Sequence, residues 1–238
     1  MRSAISPCAD IRARRCVAAI CVLVRAPPWV RQTNPPAMGG LLQGMVFPLP
    51  VRWALQATVP LAVLLQPKVE GEVAFVLKRD LSGPGVTVAD VIRATDFVLP
   101  CIEIIDSRVK DWKIKIQDTI ADNASSALIV LGTEPHSLKD RELRMAGMAL
   151  RLNGEVVSAG SGAACLDHPC LAVAWLANKL SEFGVGLKAG EVILSGAFGR
   201  VVPVLGNAHV EVEISGLGRV HCNFETGKAL SAESGGAR

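Results

Sequence analysis

The 238-residue chain contains no tyrosine, and aromatic residues make up only 4% of it. Six Phe and four Trp do not interleave with basic residues, so no stacking platform for nucleic acid is evident and nucleic acid is not an expected partner. Acids are scarce in one region: residues 1–69 carry eight Lys/Arg against the single acid Asp10, whereas the remainder is net acidic. The seven cysteines (Cys8, Cys16, Cys21, Cys101, Cys165, Cys170 and Cys222) include no C-x-x-C pair, and their odd number excludes a complete disulfide framework. Cys165, His168 and Cys170 fit no zinc spacing, so buried free thiols in a reducing compartment are expected. The apolar run Cys16–Val24 is nine residues long, too short to span a bilayer. It follows a basic start like a signal-peptide core, but no A-x-A-like cleavage site comes after it. The expectation is a soluble, cytoplasmic protein without a membrane partner.

What is present divides near residue 66. Residues 1–50 show no clear period and carry the proline clusters "APP", "NPP" and "FPLP", which do not suit a packed element. From Gln66 the pattern sharpens. "VEGEVAFVLKRD" predicts a strand and "LSGPG" a turn. "TVADVIRAT" places Thr87 and Asp90 at capping-box spacing, with Val88, Val91 and Ile92 on one helical face. "DFVLPCIEII" predicts a second strand, with Pro100 marking an edge or a bulge. Asn153-Gly154 signals a hairpin. "DHPCLAVAWLANKLSEFG" predicts a helix capped by Asp167, with Pro169 in its first turn, Gly184 at its end, and Val173, Leu176, Leu180 and Phe183 toward the core. "HVEVEIS" and "RVHCNFE" form a further strand pair. The expected fold is α+β, a β-rich mixed-sheet roll with a few packed helices. The expected division is an atypical segment 1–65, a catalytic domain 66–226 and a flexible tail 227–238.

Three acids stand out against these strands. Residues i and i+2 of a strand share a face, so Glu70 and Glu72 project together while Val69, Val73, Phe75 and Leu77 face the other way. Glu211 and Glu213 repeat the spacing, and there a solvated strand face is sufficient explanation. Glu103 differs, because its neighbours on both faces are apolar. A buried lone carboxylate costs several kcal/mol or stays protonated. A divalent cation among Glu70, Glu72 and Glu103 removes that cost, and an all-oxygen set suits Mg²⁺ or Mn²⁺. A salt bridge from Glu103 to Arg108 or Lys113 is the alternative.

The stretches "QPKVEGEVAFVL", "LPCIEIIDSRVKDWKIKIQDTIADNASS", "NGEVVSAGSGAACLDHP", "AVAWLANKLSEFGVGLKAGEVILSGA" and "ISGLGRVHCNF" closely resemble the 2-hydroxypenta-2,4-dienoate (2-keto-4-pentenoate) hydratases of the fumarylacetoacetate hydrolase superfamily. The resemblance covers about residues 66–224. It implies the superfamily's C-terminal β-roll, a metal on Glu70, Glu72 and Glu103, and water addition to a 2-oxo-alkenoate in meta-cleavage aromatic catabolism. It also implies a homo-oligomer, with a complex with 4-oxalocrotonate decarboxylase as a further partner.

Arg108 and Asp122 are the candidate catalytic residues, Arg108 as a carboxylate binder or a counter-charge to Glu103. Asn123, Ser125, Ser161, Ser195 and Gly196 are candidate substrate contacts, although each also suits a tight turn. Lys113 and Lys115, alternating with Ile114 and Ile116, read as a solvated strand face, and His168 as a helix-start residue. The family's Lys-Ile/Val-Gly-Leu-Thr-Ser segment has no match in residues 1–65, which read as disordered or as text from another frame. Three functions therefore compete: the hydratase, the related 4-oxalocrotonate decarboxylase, and an inactive homologue that binds metal without turnover and acts only in assembly.

Overall fold

The computed structural model describes residues 23–24, 52–54, 57–139 and 141–226. The expected tail 227–238 and most of residues 1–50 lie outside the described residues. Twelve strands form two sheets among the described residues. The first sheet runs β1 (Leu23–Val24), β9 (Val192–Leu194), β4 (Lys68–Leu77), β5 (Thr95–Ile105), β6 (Ser126–Leu131) and β2 (Arg52–Ala54), with β10 (Val202–Pro203) also pairing β4. The second runs β3 (Ala57–Pro60), β12 (Gly218–Glu225), β11 (Ala208–Ile214), β7 (Gly147–Leu152) and β8 (Glu155–Ser161). β2 joins β6 and β3 joins β12 in parallel, so both sheets are mixed, and both of these strands precede residue 66. The helices are α1 (Val88–Ala94), α2 (Ile116–Ala121) and α3 (Pro169–Ser181). The expected α+β mixed-sheet roll is the fold observed.

Strand parity is realised as the sequence predicts. Val69, Val73, Phe75 and Leu77 of β4 are buried in the main core with Val98, Ile102 and Ile104 of β5, α3 and the second sheet. Gly71 lies on this same side. A Cβ there would sit 3.0 Å from Val212 and 3.1 Å from the Met148 sulfur, so glycine lets the sheets close up directly behind Glu70 and Glu72. The opposite face of β4 and β5 carries a smaller apolar cluster, Ala74, Val76, Leu99 and Cys101, with Ile129, Leu131, Val192 and Leu194.

The local signals fare unevenly. Thr87 and Asp90 make the reciprocal capping box, and Val91 is buried, but Ile92 turns outward. Asn153 and Gly154, both with positive φ, close the β7–β8 hairpin. In α3 the cap is His168, whose Nδ1 accepts from the Cys170 N–H at 3.0 Å. Asp167 instead pairs with Arg144 at 2.7 Å. Val173, Leu176 and Leu180 form the inward stripe, whereas Phe183 follows the helix end and is 51% exposed. Lys113 and Lys115 do not lie on a strand; they link a 3-10 turn (Lys110–Trp112) to α2. Pro100 is central rather than at an edge. Its partner on β4, Val73, directs its N–H and C=O toward Ser195, so Pro100 faces β4 at a non-hydrogen-bonded position. Its missing N–H points past the end of β6, where Gly132 bonds its carbonyl at 2.8 Å.

Candidate metal centre

The antiparallel register of β4 and β5 sets Glu70 directly opposite Glu103, and Glu72 opposite Cys101. Parity then turns all three carboxylates to the same side. One oxygen from each of Glu70, Glu72 and Glu103 lies within 4.8 Å of the others. Glu72 is 1% and Glu103 2% exposed. Neither cation named as the alternative partner of Glu103 reaches it: Arg108 pairs with Asp122 at 3.5 Å and Lys113 with Asp111 at 3.4 Å.

The electrostatics record the cost of this convergence. Burial, then the neighbouring Glu103, pushes Glu70 up to about 8, with Lys68 partly offsetting. Glu72 is raised well above the carboxylate range by burial, Glu103 and Glu70, against one stabilising hydrogen bond from the Gly196 N–H to its Oε2 at 2.8 Å. Burial pushes Glu103 up to about 7, opposed by the adjacent Ser126 hydroxyl and by Glu72. That hydroxyl falls short of a full hydrogen bond, and no donor reaches Glu103 Oε1 with hydrogen-bonding geometry. Three converging acids, two buried and one half-buried, with one orphaned oxygen among them, fit a hard divalent cation, which supplies opposite charge and favours oxygen donors. Among the described residues this is the one cluster of such donors.

The other predicted residues divide into groups. Ser195 is fully buried and Gly196 adjoins Glu72. The Ser195 hydroxyl accepts from the Val73 N–H at 3.2 Å and donates to the Gly196 carbonyl at 3.0 Å. Asp122 organises the loop between β5 and β6: its Oδ2 accepts from the Ser107 hydroxyl, the Arg108 N–H and the Ser125 hydroxyl at 3.2, 3.1 and 2.8 Å. Arg108 donates to the carbonyls of Asp122 and Ser126 at 3.3 and 3.4 Å, which ties this network to the residue beside Glu103. Asn123 belongs to a 3-10 turn with Ser125, but its side chain lies outside the described set. Ser161 precedes the 3-10 turn Gly162–Ala164 that leads to Cys165.

Three contributors escaped the sequence reading. Ser126 sits beside Glu103. Cys165 donates its thiol to the Gly196 carbonyl at 2.8 Å, and burial followed by the charge of Glu72 drives its proton affinity up. Lys68 Nζ lies 4.0 Å over the Trp112 ring and tempers Glu70. Lys68 was findable, since it shares strand parity with Glu70; nothing local marks Ser126 or Cys165.

Fold and donor set together define a class: a mixed-sheet α+β protein with a carboxylate cluster suited to a hard divalent cation. The chain belongs to the fumarylacetoacetate (FAA) hydrolase C-terminal family, whose pattern matches residues 31–225. It is 51% identical over 166 residues to a 2-hydroxyhexa-2,4-dienoate hydratase of Comamonas testosteroni, covering 68% of this chain and 62% of that protein. It is 49% identical over 166 residues to a 2-keto-4-pentenoate hydratase of Burkholderia vietnamiensis, covering 70% and 63%. Among solved structures, 4-oxalocrotonate decarboxylase from Pseudomonas putida, complexed with magnesium and adipate, superposes with a TM-score of 0.69 at 41% identity, covering 71% and 64%. The matched region thus spans under two thirds of each relative's own length. No described helix is long and apolar enough to cross a membrane.

Proposed function

We propose that the protein hydrates 2-hydroxypenta-2,4-dienoate (2-oxopent-4-enoate) to 4-hydroxy-2-oxopentanoate, with Mg²⁺ or Mn²⁺ held by Glu70, Glu72 and Glu103. The observation that carries this reading is the largely buried three-carboxylate cluster with its orphaned Glu103 oxygen, in a chain about half identical, over 166 matched residues, to proteins named as hydratases. A divalent cation bound there supplies Lewis acidity toward the substrate's 1-carboxylate and 2-oxo group. Protonation of the dienol at C5 gives an enone conjugated to the 2-oxo group, and water adds at C4.

The chain's own part is to hold charge in place. The Gly196 N–H fixes the Oε2 of Glu72, and rigid β4 and β5 fix the spacing of Glu70 and Glu103. Burial of Glu72 and Glu103 keeps bulk water from competing for their oxygens. Asp122 shapes the β5–β6 loop, and to Arg108, 42% exposed on that loop, we assign attraction of an anionic substrate. Ser125, tied to Asp122, and Ser161 are the hydroxyls we assign to substrate contact.

Similarity to the decarboxylase structure favours a second reading, decarboxylation at the same centre. Supplying the purified protein with Mg²⁺ and, separately, 2-hydroxypentadienoate and 4-oxalocrotonate separates the two. Hydration consumes the dienol without releasing CO₂. Release of CO₂ from 4-oxalocrotonate, with the pentadienoate untouched, would overturn the hydratase assignment.

A further inference from the structure

We infer that Cys165 is a positioning residue for the metal centre, acting through the Ser195-Gly196 turn on Glu72; the inference rests on the metal-binding reading above. Glu72 receives one backbone hydrogen bond, from the Gly196 N–H at 2.8 Å. The aim of that N–H depends on a residue with φ of +92°. Glycine takes this conformation without strain, but it is also the residue least able to hold it. Something else must fix the turn.

Two side-chain donors converge on the carbonyl of Gly196. The Cys165 thiol reaches it at 2.8 Å and the Ser195 hydroxyl at 3.0 Å. Both side chains are fully buried, so water does not replace either donor. Each is anchored independently. Ser195 is paired to Val73 of β4 through its N–H and its hydroxyl, which locks one side of the turn to the strand that carries Glu72. Cys165 reaches in from a different element, the 3-10 turn after β8, where its N–H bonds the Gly162 carbonyl at 3.0 Å. That turn is held tightly: a Cβ on Gly162 would fall 1.9 Å from the Leu143 carbonyl oxygen. With its carbonyl pinned from two directions, Gly196 cannot swing about φ, and its N–H stays on Glu72. The Cys165 thiol also lies 3.4 Å from the Ala197 carbonyl, so it braces the residue that follows as well. Groups that orient a ligand without touching the metal typically change metal affinity by about 10–100-fold when removed.

The test compares wild type with Cys165→Ala, Cys165→Ser and Ser195→Ala by Mn²⁺ titration, reading free Mn²⁺ by its electron paramagnetic resonance signal. The same proteins are followed by thermal unfolding with and without Mn²⁺. Cys165→Ala is expected to bind Mn²⁺ about 10-fold more weakly. Cys165→Ser, whose hydroxyl still reaches the carbonyl, should stay within about threefold of wild type, and Ser195→Ala should weaken binding as Cys165→Ala does. Cys165→Val, which fills the site but donates no hydrogen bond, is expected to bind as weakly as Cys165→Ala and keeps the inference testable should Cys165→Ala fail to fold. Wild-type affinity in Cys165→Ala would overturn the inference alone, whatever Ser195→Ala does. So would a Cys165→Ser protein as weak as Cys165→Ala, since packing rather than the donated hydrogen bond would then be at work. A wild-type protein that binds no Mn²⁺ would overturn the metal reading itself, and this inference with it.

Discussion

Replacing Glu103 by Gln should make the metal-free protein more stable at alkaline pH while removing its response to metal. Folding raises the proton affinity of Glu103 from 4.5 to about 7, chiefly through burial. The folded chain therefore holds a proton that the unfolded chain releases. The associated stability is complete below about pH 4.5 and declines as pH rises through 7. Bringing the carboxylate from 4.5 to about 7 costs roughly 3 kcal/mol by pH 8. For a domain of this size that lowers the melting temperature by roughly 6–12 °C. Gln keeps the shape of Glu103 but carries no charge, and its amide can donate to the facing carboxylates, so the metal-free variant escapes this loss. Wild type regains about 2.7 kcal/mol when the cation is present at about 100 times its dissociation constant, and the variant regains none. Thermal melts from about pH 5 to pH 8, with chelator and with Mg²⁺, read both effects. A chelated wild-type melting temperature that is flat across this range would refute the reasoning, as would a Glu103→Gln protein that Mg²⁺ still stabilises fully.

Gly196→Ala should cost about 1–2 kcal/mol, because alanine is strained at a φ of +92°, and should weaken Mn²⁺ binding in the same titration. Asp122→Ala should destabilise by about 1–3 kcal/mol, since it strips the Ser107, Arg108 and Ser125 donors of their shared acceptor; steady-state kinetics should show KM rising more than kcat falls. Leu180→Ala in the core of α3 should cost about 2–5 kcal/mol by chemical denaturation. Phe183→Ser, at a half-exposed site past the helix end, should stay within about 0.5 kcal/mol.

The parts of the fold legible in the sequence are those set by neighbouring residues. Strand parity is local, and it put Glu70 and Glu72 on one face with the β4 hydrophobes behind them. The capping box and the Asn153-Gly154 hairpin are equally local and form as read. Misreadings begin where a residue has two good options. Asp167 and His168 both suit a helix start, and a tertiary partner, Arg144, drew Asp167 away from the cap. Phe183 fits the helical period, but the helix ends at Ser181. Pro100 looked peripheral because a central strand cannot usually spare an N–H, and only the ladder register shows that this one is spare.

The site divides along the same line. Apolar neighbours marked Glu103 as buried, yet its place opposite Glu70 is a matter of register between two strands. Cys165 is further removed. Its hydrogen-bonded link to Glu72 runs through Gly196, across three separate segments, and no spacing within one segment encodes that.

A single divalent ion among Glu70, Glu72 and Glu103 would be seen by anomalous scattering from crystals grown with Mn²⁺. One peak is expected at about 2.0–2.3 Å from an oxygen of each of the three carboxylates, the range for a small hard cation. Full Mn²⁺ occupancy elsewhere, with these oxygens joined only by shared protons, would contradict it.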